Sequence, residues 1–380
     1  MILTAEYVSN GHPDRLADSI VNNIVNYVVL KDEDALCGLE CAVHTNKVFV
    51  DGRIAAGKEK TVINNEIIKD IVKDTYKKAG YGKHYFKEKG FSLEWHPYPD
   101  ELEIILDICI ETLSNEERQL RKYSDDQNVV LGYAVNIKDT NYLPVEHFAA
   151  ISLGEKFKEM CINIGNKQDG RIFGFGPDFK ILVQLKKEQN KYEWERLTLS
   201  VEHNKGSIFQ DNYKFAWNNI QIILKELFKD TILDTLSTID YDKFYLNGAG
   251  DFYQGGPLGD NGLSGKKLCI DFYGPMIPIG GGAIYGKDPH KVDVCGAIIA
   301  REVALKLVKE YNYYSVLVTL AWSPGEEEPY IIQTWETDEF GTRTPIDNIL
   351  LPPSDYFSIE CINKHLHLER RKITSIKDIK

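Results

Sequence analysis

One run of residues narrows the folds open to this 380-residue chain more than any other. It reads Gly280-Gly281-Gly282-Ala283-Ile284-Tyr285-Gly286-Lys287-Asp288-Pro289-His290-Lys291-Val292-Asp293. Four glycines leave the main chain bare, so an anion or a flat ring can approach the backbone closely. Two lysines and two aspartates follow within seven residues. An apolar stripe then begins at Val294, Ala297 and Ile298 and continues through Ala304, Leu305 and Val308, which predicts a helix whose N-terminus faces the glycines. Unpaired N–H groups at such a terminus attract phosphate. Gly281 to Lys287 also matches the start of a P-loop, G-x-x-x-x-G-K. Asp288 then stands where Ser or Thr should hold magnesium, and Pro275 and Pro278 spoil the preceding run as a buried parallel strand. Taken alone, the stretch is either an anion-binding wall or a glycine turn with a solvated charge run.

The remaining totals set limits. The length suits two or three domains, and a hydrophobic content of 43% is ample for real cores. A net charge of −12 argues against an extended nucleic-acid surface, so an anionic ligand needs a local basic cluster. The seven cysteines form no C-x-x-C pair and mostly sit beside aliphatic residues, as reduced thiols do. The first residues lack a basic run followed by an apolar one, and no stretch approaches 18 apolar residues. These features predict a soluble, cytoplasmic protein without a membrane partner.

Along the chain, Ser9-Asn10-Gly11-His12-Pro13-Asp14-Arg15 opens a helix carrying Leu16, Ile20, Ile24 and Val28 on one face. His12 is there either a polar cap or a side chain beside a cation-holding carboxylate. Residues 39–50 read as strands, with Glu40 on the polar side. Residues 62–79 form a helix ended by Gly80, and 102–110 a strand. The polar run from 112 to 124 reads as a mobile loop and a boundary. A helix over 145–164, strands over 181–185 and 197–202, and a helix over 212–228 make up a central unit. Strands over 315–321 and 330–334 follow the glycine stretch, and residues 370–380 are polar and frayed. The division is 1–111, a gate at 112–124, 125–236 and 237–380: three α+β units of similar make-up.

Five motifs, in order and spread over nearly the whole chain, resemble those of the S-adenosylmethionine synthetase family, also called methionine adenosyltransferases. Gly11-His12-Pro13-Asp14-Arg15 is similar to the family's GHPDK. Asp126-Gln127 with Gly132-Tyr133-Ala134 is similar to its DQ and GYA, and Pro177-Asp178-Phe179-Lys180 to PDxK. Gly255 to Lys267 resembles GGPxGDxGLTGRK, and Gly280 to Asp293 resembles GGGAFSGKDPxKVD. The resemblance implies an α+β fold of three domains related by pseudo-threefold symmetry, and active sites between two subunits, hence at least a homodimer. It implies that methionine sulfur attacks C5′ of ATP and displaces triphosphate, which is then hydrolysed to pyrophosphate and phosphate. Such chemistry needs cations around the leaving group and no general base, because the thioether is already nucleophilic.

By the same resemblance, His12 polarises the leaving oxygen, and Asp14 and Asp293 hold magnesium. Glu40 holds potassium, and Lys180, Lys266, Lys267 and Lys287 bind phosphates. His12, Lys180 and Lys287 form the catalytic set. Phe252 stacks on adenine, Asp178 contacts the nucleoside and Ala283 lines the ATP wall. Asp260 reaches both ATP and the amino acid, Lys291 meets the amino acid, and 112–123 gates the site.

Departures from the pattern cluster at the amino-acid end. Asp51-Gly52-Arg53-Ile54 replaces the family's Gly-Gly-Glu-Ile, so a cation stands where an anion should meet the substrate ammonium. Glu111 replaces a glutamine that touches methionine. Asp251 and Lys266 replace arginines, and Lys266 loses a bidentate fork. Arg53 facing an ammonium would cost on the order of 1–4 kcal/mol, depending on burial. Three outcomes are open: Arg53 and Glu111 exchange duties and take methionine's carboxylate and ammonium, the acceptor is another thioether, or the chain is a weakened regulatory partner of a second copy. Retention of the phosphate set argues against the last.

Overall fold

The computed structural model describes residues 1–351 apart from 59, 88, 89, 169, 170, 190, 348 and 350, so Cys361 and the run 370–380 lie outside the described residues. In chain order come β1 (Ile2–Val8), α1 (Pro13–Val29), β2 (Leu36–His44), β3 (Lys47–Ala55), α2 (Asn65–Ala79), the hairpin β4 (Gly82–Phe86) and β5 (Phe91–Trp95), β6 (Glu103–Glu111) and α3 (Asn115–Leu120). Then follow β7 (Asn128–Val135), α4 (Val145–Cys161), a short hairpin of β8 (Asn166–Gln168) and β9 (Arg171–Phe173), β10 (Phe175–Glu188), β11 (Lys191–His203) and α5 (Phe209–Phe228). The last third holds β12 (Phe244–Leu246), α6 (Gly256–Gly259), β13 (Gly262–Leu263), α7 (Leu268–Asp271), α8 (Val292–Tyr311), β14 (Ser315–Trp322), β15 (Ile331–Thr337) and β16 (Arg343–Pro345).

Local chemistry accounts for many of these bounds. Pro13 occupies the first turn of α1, where a missing N–H costs nothing, and Leu16, Ile20, Ile24 and Val28 are fully buried along one face. Asn64 caps α2 through the Ile67 N–H, and Gly80 ends it in the left-handed region. The polar run after residue 111 is not loop throughout. Ser114 and Glu117 make a reciprocal capping box that starts α3.

The expected three α+β units appear as three four-stranded sheets, ordered β1-β10-β11-β12, β13-β2-β3-β6 and β16-β15-β14-β7. The sequence boundaries divide the chain but not the sheets. β1 of the first segment pairs antiparallel with β10, from Ile2 opposite Lys186 to Val8 opposite Lys180. β13 of the last segment joins β2, and β7 of the central segment joins β14. α4 and α5 cover the first sheet, enclosing Phe157, Phe175, Phe179 and Leu224 in one core. α1, α2 and α8 build the larger core, against the inner faces of the other two sheets. These exchanges bring the ends of β1, β10 and β11 to the start of α1, and the glycine stretch to β2. No helix among the described residues is long and apolar enough to cross a membrane, and the six described cysteines are free thiols.

Candidate active site

The glycine stretch is preceded by no strand and leads straight into α8, with Lys291 at its N-cap position. Main-chain bonds fasten it to β2: Leu39 N–H donates to the Gly286 carbonyl at 2.8 Å, and Lys287 bridges Gly38. Gly286 has φ +81°, and a Cβ there would lie 2.2 Å from the Leu39 carbonyl oxygen, so only glycine fits. A Cβ on Gly282 would strike Asp293 Oδ1 at 1.5 Å. Bare backbone therefore lets Asp293, in the first turn of α8, turn back onto the wall. Its Oδ1 accepts from Asn128 at 2.6 Å and lies 2.8 Å from Lys287 Nζ. Lys291 pairs with Asp125.

A cavity of about 370 Å³ opens nearby, lined by His12, Asp178, Lys180, Phe252, Gln254 and Asp260 among others. His12 is 2% exposed. Its Nδ1 accepts the Asp14 N–H at 3.2 Å, so the proton of the neutral ring sits on Nε2, a buried atom with no partner among the described residues. Burial first, then the charge of Lys180, lowers its pKa to about 3, so the ring is neutral at physiological pH. Lys180 stands on β10 opposite Val8 and makes no ion pair among the described residues. Asp178 Oδ2 accepts the Gly256 N–H at 2.7 Å, while Oδ1 is buried and unpaired. Burial raises Asp178 to about 6, against the pull of that hydrogen bond.

Asp14, 4% exposed, anchors β13 and two lysines. Its Oδ1 accepts the Leu263 N–H at 2.9 Å, Lys267 lies 2.7 Å from Oδ2, and Lys266 lies 3.8 Å from Oδ1. Burial pushes its carboxyl up, but the bonds from Lys267 and Leu263 N–H outweigh it and hold it below the usual range. On the open face of β2, Glu40 accepts from Ser264 at 2.5 Å. Register sets Glu40 opposite Asp51, and Asp51 opposite Asp107. Three carboxylates in one cross-strand row repel one another unless a cation joins them.

Arg53 and Glu111 do meet. Arg53 Nη2 donates to Glu111 Oε2 at 2.9 Å and to Glu117 Oε1 at 2.7 Å. Arg53 is 39% and Glu111 47% exposed at the side chain, so the cluster faces solvent. Among the described residues no hydrogen bond or ion pair ties these three to the lining of the His12 cavity.

Models of the N-terminal and C-terminal domains of S-adenosylmethionine synthetase match residues 1–96 and 254–378. An S-adenosylmethionine synthase from Acholeplasma laidlawii is 28% identical over 378 residues, covering 98% of this chain and 88% of the relative. One from Borreliella afzelii is 31% identical over 334 residues, covering 87% and 79%. The chain belongs to the S-adenosylmethionine synthetase family. In fold it is similar to an unusual S-adenosylmethionine synthetase from Campylobacter jejuni, with TM-score 0.74, 22% identity, and 100% and 96% of the two chains covered.

Several residues of this S-adenosylmethionine synthetase-family site escape motif reading. Glu202, 3% exposed, accepts the Gly255 N–H at 2.9 Å through Oε1, leaving Oε2 buried and unpaired. Burial raises it to about 8 despite that bond; the Asp178 carboxylate adds to the rise and the Asp178 backbone N–H opposes it. His203 exchanges bonds with Phe252: its N–H donates to the Phe252 carbonyl at 2.9 Å, and its Nε2 accepts the Phe252 N–H at 3.1 Å. Glu202 looks like any polar end of a strand. The Ser114-x-x-Glu117 capping pattern was the one local signal available for α3.

Proposed function

We propose that this protein transfers the adenosyl group of ATP to the sulfur of L-methionine and releases pyrophosphate and phosphate. The single observation that carries this reading is the neutral His12 ring, whose Nε2–H is buried, unpaired and beside the cavity that also receives Lys180. A fixed neutral donor next to a cation suits an oxygen that gains charge as its bond to carbon breaks. Methionine sulfur gives its lone pair to C5′, the C5′–O bond breaks, and triphosphate leaves with that electron pair. No proton moves in this step; a water molecule then attacks a terminal phosphorus of the triphosphate and breaks one P–O–P bond, giving pyrophosphate and phosphate. His12 donates to the leaving oxygen, and Lys180, Lys266, Lys267 and Lys287 spread over the phosphates. Phe252, fixed by His203, stacks on adenine, Asp178 takes the nucleoside, and Ala283 keeps the wall shallow.

The donor set fits the cations that the family implies. Asp14 and Asp293 offer hard carboxylate oxygens, each held by lysine that phosphate can draw away, and Glu40 sits in a row with Asp51 and Asp107 that has no ion pair among the described residues. Asp14 and Asp293 would hold magnesium and Glu40 potassium, supplying positive charge to the triphosphate side. Among the described residues no three His, Cys, Asp or Glu groups cluster as a metal cage.

For the amino acid, Arg53 takes the carboxylate and Glu111 the ammonium, with Asp260 and Lys291 at the same end. A second copy completes each site: among the described residues no hydrogen bond or ion pair ties Arg53 and Glu111 to the cavity of their own chain. The open face of β3, β6 and β13, with Phe49, Ile105 and Leu263 each about two-fifths exposed, supports a homodimer through that sheet. The free thiols accord with a cytoplasmic setting. The test is incubation with ATP, magnesium, potassium and methionine, reading the sulfonium product by mass. Triphosphate cleavage without sulfonium would refute methionine as acceptor, and ATP binding without either product would refute the enzyme reading.

A further inference from the structure

Arg121 falls in the 112–123 segment that the family resemblance reads as the gate, but it matches no quoted motif, and the chemistry above gives it no part. We propose that Arg121 is a positioning residue for the phosphate-binding loop: it holds Asp288, and through Asp288 the backbone that carries Lys287. The inference rests on Lys287 meeting the triphosphate.

Asp288 is completely buried and ties two parts of the chain together. Its Oδ2 accepts the Cys37 N–H at the start of β2 at 2.8 Å. Its Oδ1 accepts the His290 N–H at 3.0 Å, just ahead of α8. Its own N–H donates to the Cys37 carbonyl at 3.1 Å. The same Oδ1 accepts from Arg121 Nη2, which is its ion-pair partner among the described residues. Arg121 is itself 5% exposed, and its fork also reaches the carbonyls of Asp34 at 3.2 Å and Ala35 at 3.1 Å. One planar guanidinium thereby spans two carbonyls and a carboxylate, a geometry that an ammonium cannot copy. His290 closes the network, its ring nitrogens 3.1 Å from the carbonyl oxygens of Arg121 and Glu33.

The contact is not isolated. Asp125 pairs with Lys291, and Asn128 with Asp293. Residues 121–128 thus run alongside residues 288–293 and touch them at three successive points. Without the guanidinium, Asp288 is a buried carboxylate lacking its cation, and the structure relieves this by moving it toward water. That frees the Cys37 or His290 N–H and loosens the loop one residue from Lys287. A charge that must meet a departing phosphate tolerates little displacement.

The experiment compares wild type, Arg121→Ala and Arg121→Lys for sulfonium formation, with melting temperature as the check on folding. Arg121→Ala should lose at least ~100-fold in kcat while the KM for methionine stays within about threefold. Millimolar guanidinium should restore at least ~10-fold of that loss and sodium chloride at equal ionic strength should not. Arg121→Lys should fall between the two. A folded Arg121→Ala protein with near-wild-type kcat would overturn the inference, and so would a loss that guanidinium leaves untouched. If Arg121→Ala does not fold, wild-type kcat in Arg121→Lys would do the same. A wild type that makes no sulfonium would sink the functional reading instead, and Arg121 would then be judged by hydrolysis of added tripolyphosphate.

Discussion

The His12 cavity and the Arg53 corner of this molecule handle charge in opposite ways. Around the cavity, polar atoms are buried and left waiting: among the described residues His12 Nε2 and Asp178 Oδ1 have no partner. At the corner the charges are exposed and already satisfied, with Arg53 shared between Glu111 and Glu117. A buried unpaired group carries a standing cost that a ligand removes, so it specifies that ligand sharply. An exposed triad carries little such cost, and the substrate must displace one of its members. The chemistry should therefore be hard to alter and the choice of acceptor easy.

The largest effect should come from the cavity. His12→Ala should lower kcat by about 10²- to 10³-fold with little change in melting temperature, as for loss of one oxyanion donor. Because the folded His12 pKa is lowered to about 3, the ring stays neutral as pH falls from 8 to 5, and wild-type kcat should show no His12 limb in that window. A loss of activity centred near pH 6.5 that His12→Asn removes would break the comparison.

A smaller effect is expected at the corner. Arg53→Glu would gather three carboxylates where the substrate carboxylate should bind, so the KM for methionine should rise at least ~10-fold with the KM for ATP unchanged. Improved methionine use in Arg53→Glu would instead show a corner retuned for another acceptor. The mildest corner change, Glu117→Gln, removes one competitor for Arg53 and should lower the KM for methionine by about two- to fivefold, the scale of an exposed ion pair.

Glu202 provides a test on stability alone. Its folded pKa, about 8, lies above that of an unfolded glutamate, so the native state binds the extra proton between those values. Stability then falls as pH rises from about 4.5 to 8. Glu202→Gln keeps an acceptor for the Gly255 N–H and cannot ionise. Its melting temperature should match wild type near pH 4.5 and exceed it by a few degrees near pH 8. Parallel curves for the two proteins would mean that Glu202 is ionised throughout.

Much of the fold was legible where one short stretch decides the outcome. Pro13 after His12, Gly80 after α2, and the stripe from Val294 onward each mark an element by local chemistry, and α1, α2 and α8 begin or end within a few residues of those marks. Strand exchange was not legible. β1 pairs with β10 across about 180 residues, and nothing in Ile2–Val8 distinguishes that partner from any other strand. The same limit hid Arg121: an arginine in a charged run reads as solvated until Asp288 is placed beside it. The site motifs drew attention to His12, Lys180 and Asp178, which share one cavity, but could not reveal that Glu202 holds the Gly255 N–H and His203 the Phe252 backbone at its edge.

The most direct test of the two-sided site is a heterodimer of one His12→Ala subunit and one Arg53→Glu subunit, purified through two different tags. If one copy supplies the cavity and its partner the corner, each such dimer holds one wild-type site, and with methionine well below the wild-type KM sulfonium formation should recover to about half the wild-type rate. At that methionine concentration both parents are slow, and a heterodimer no faster than the Arg53→Glu homodimer would contradict that account.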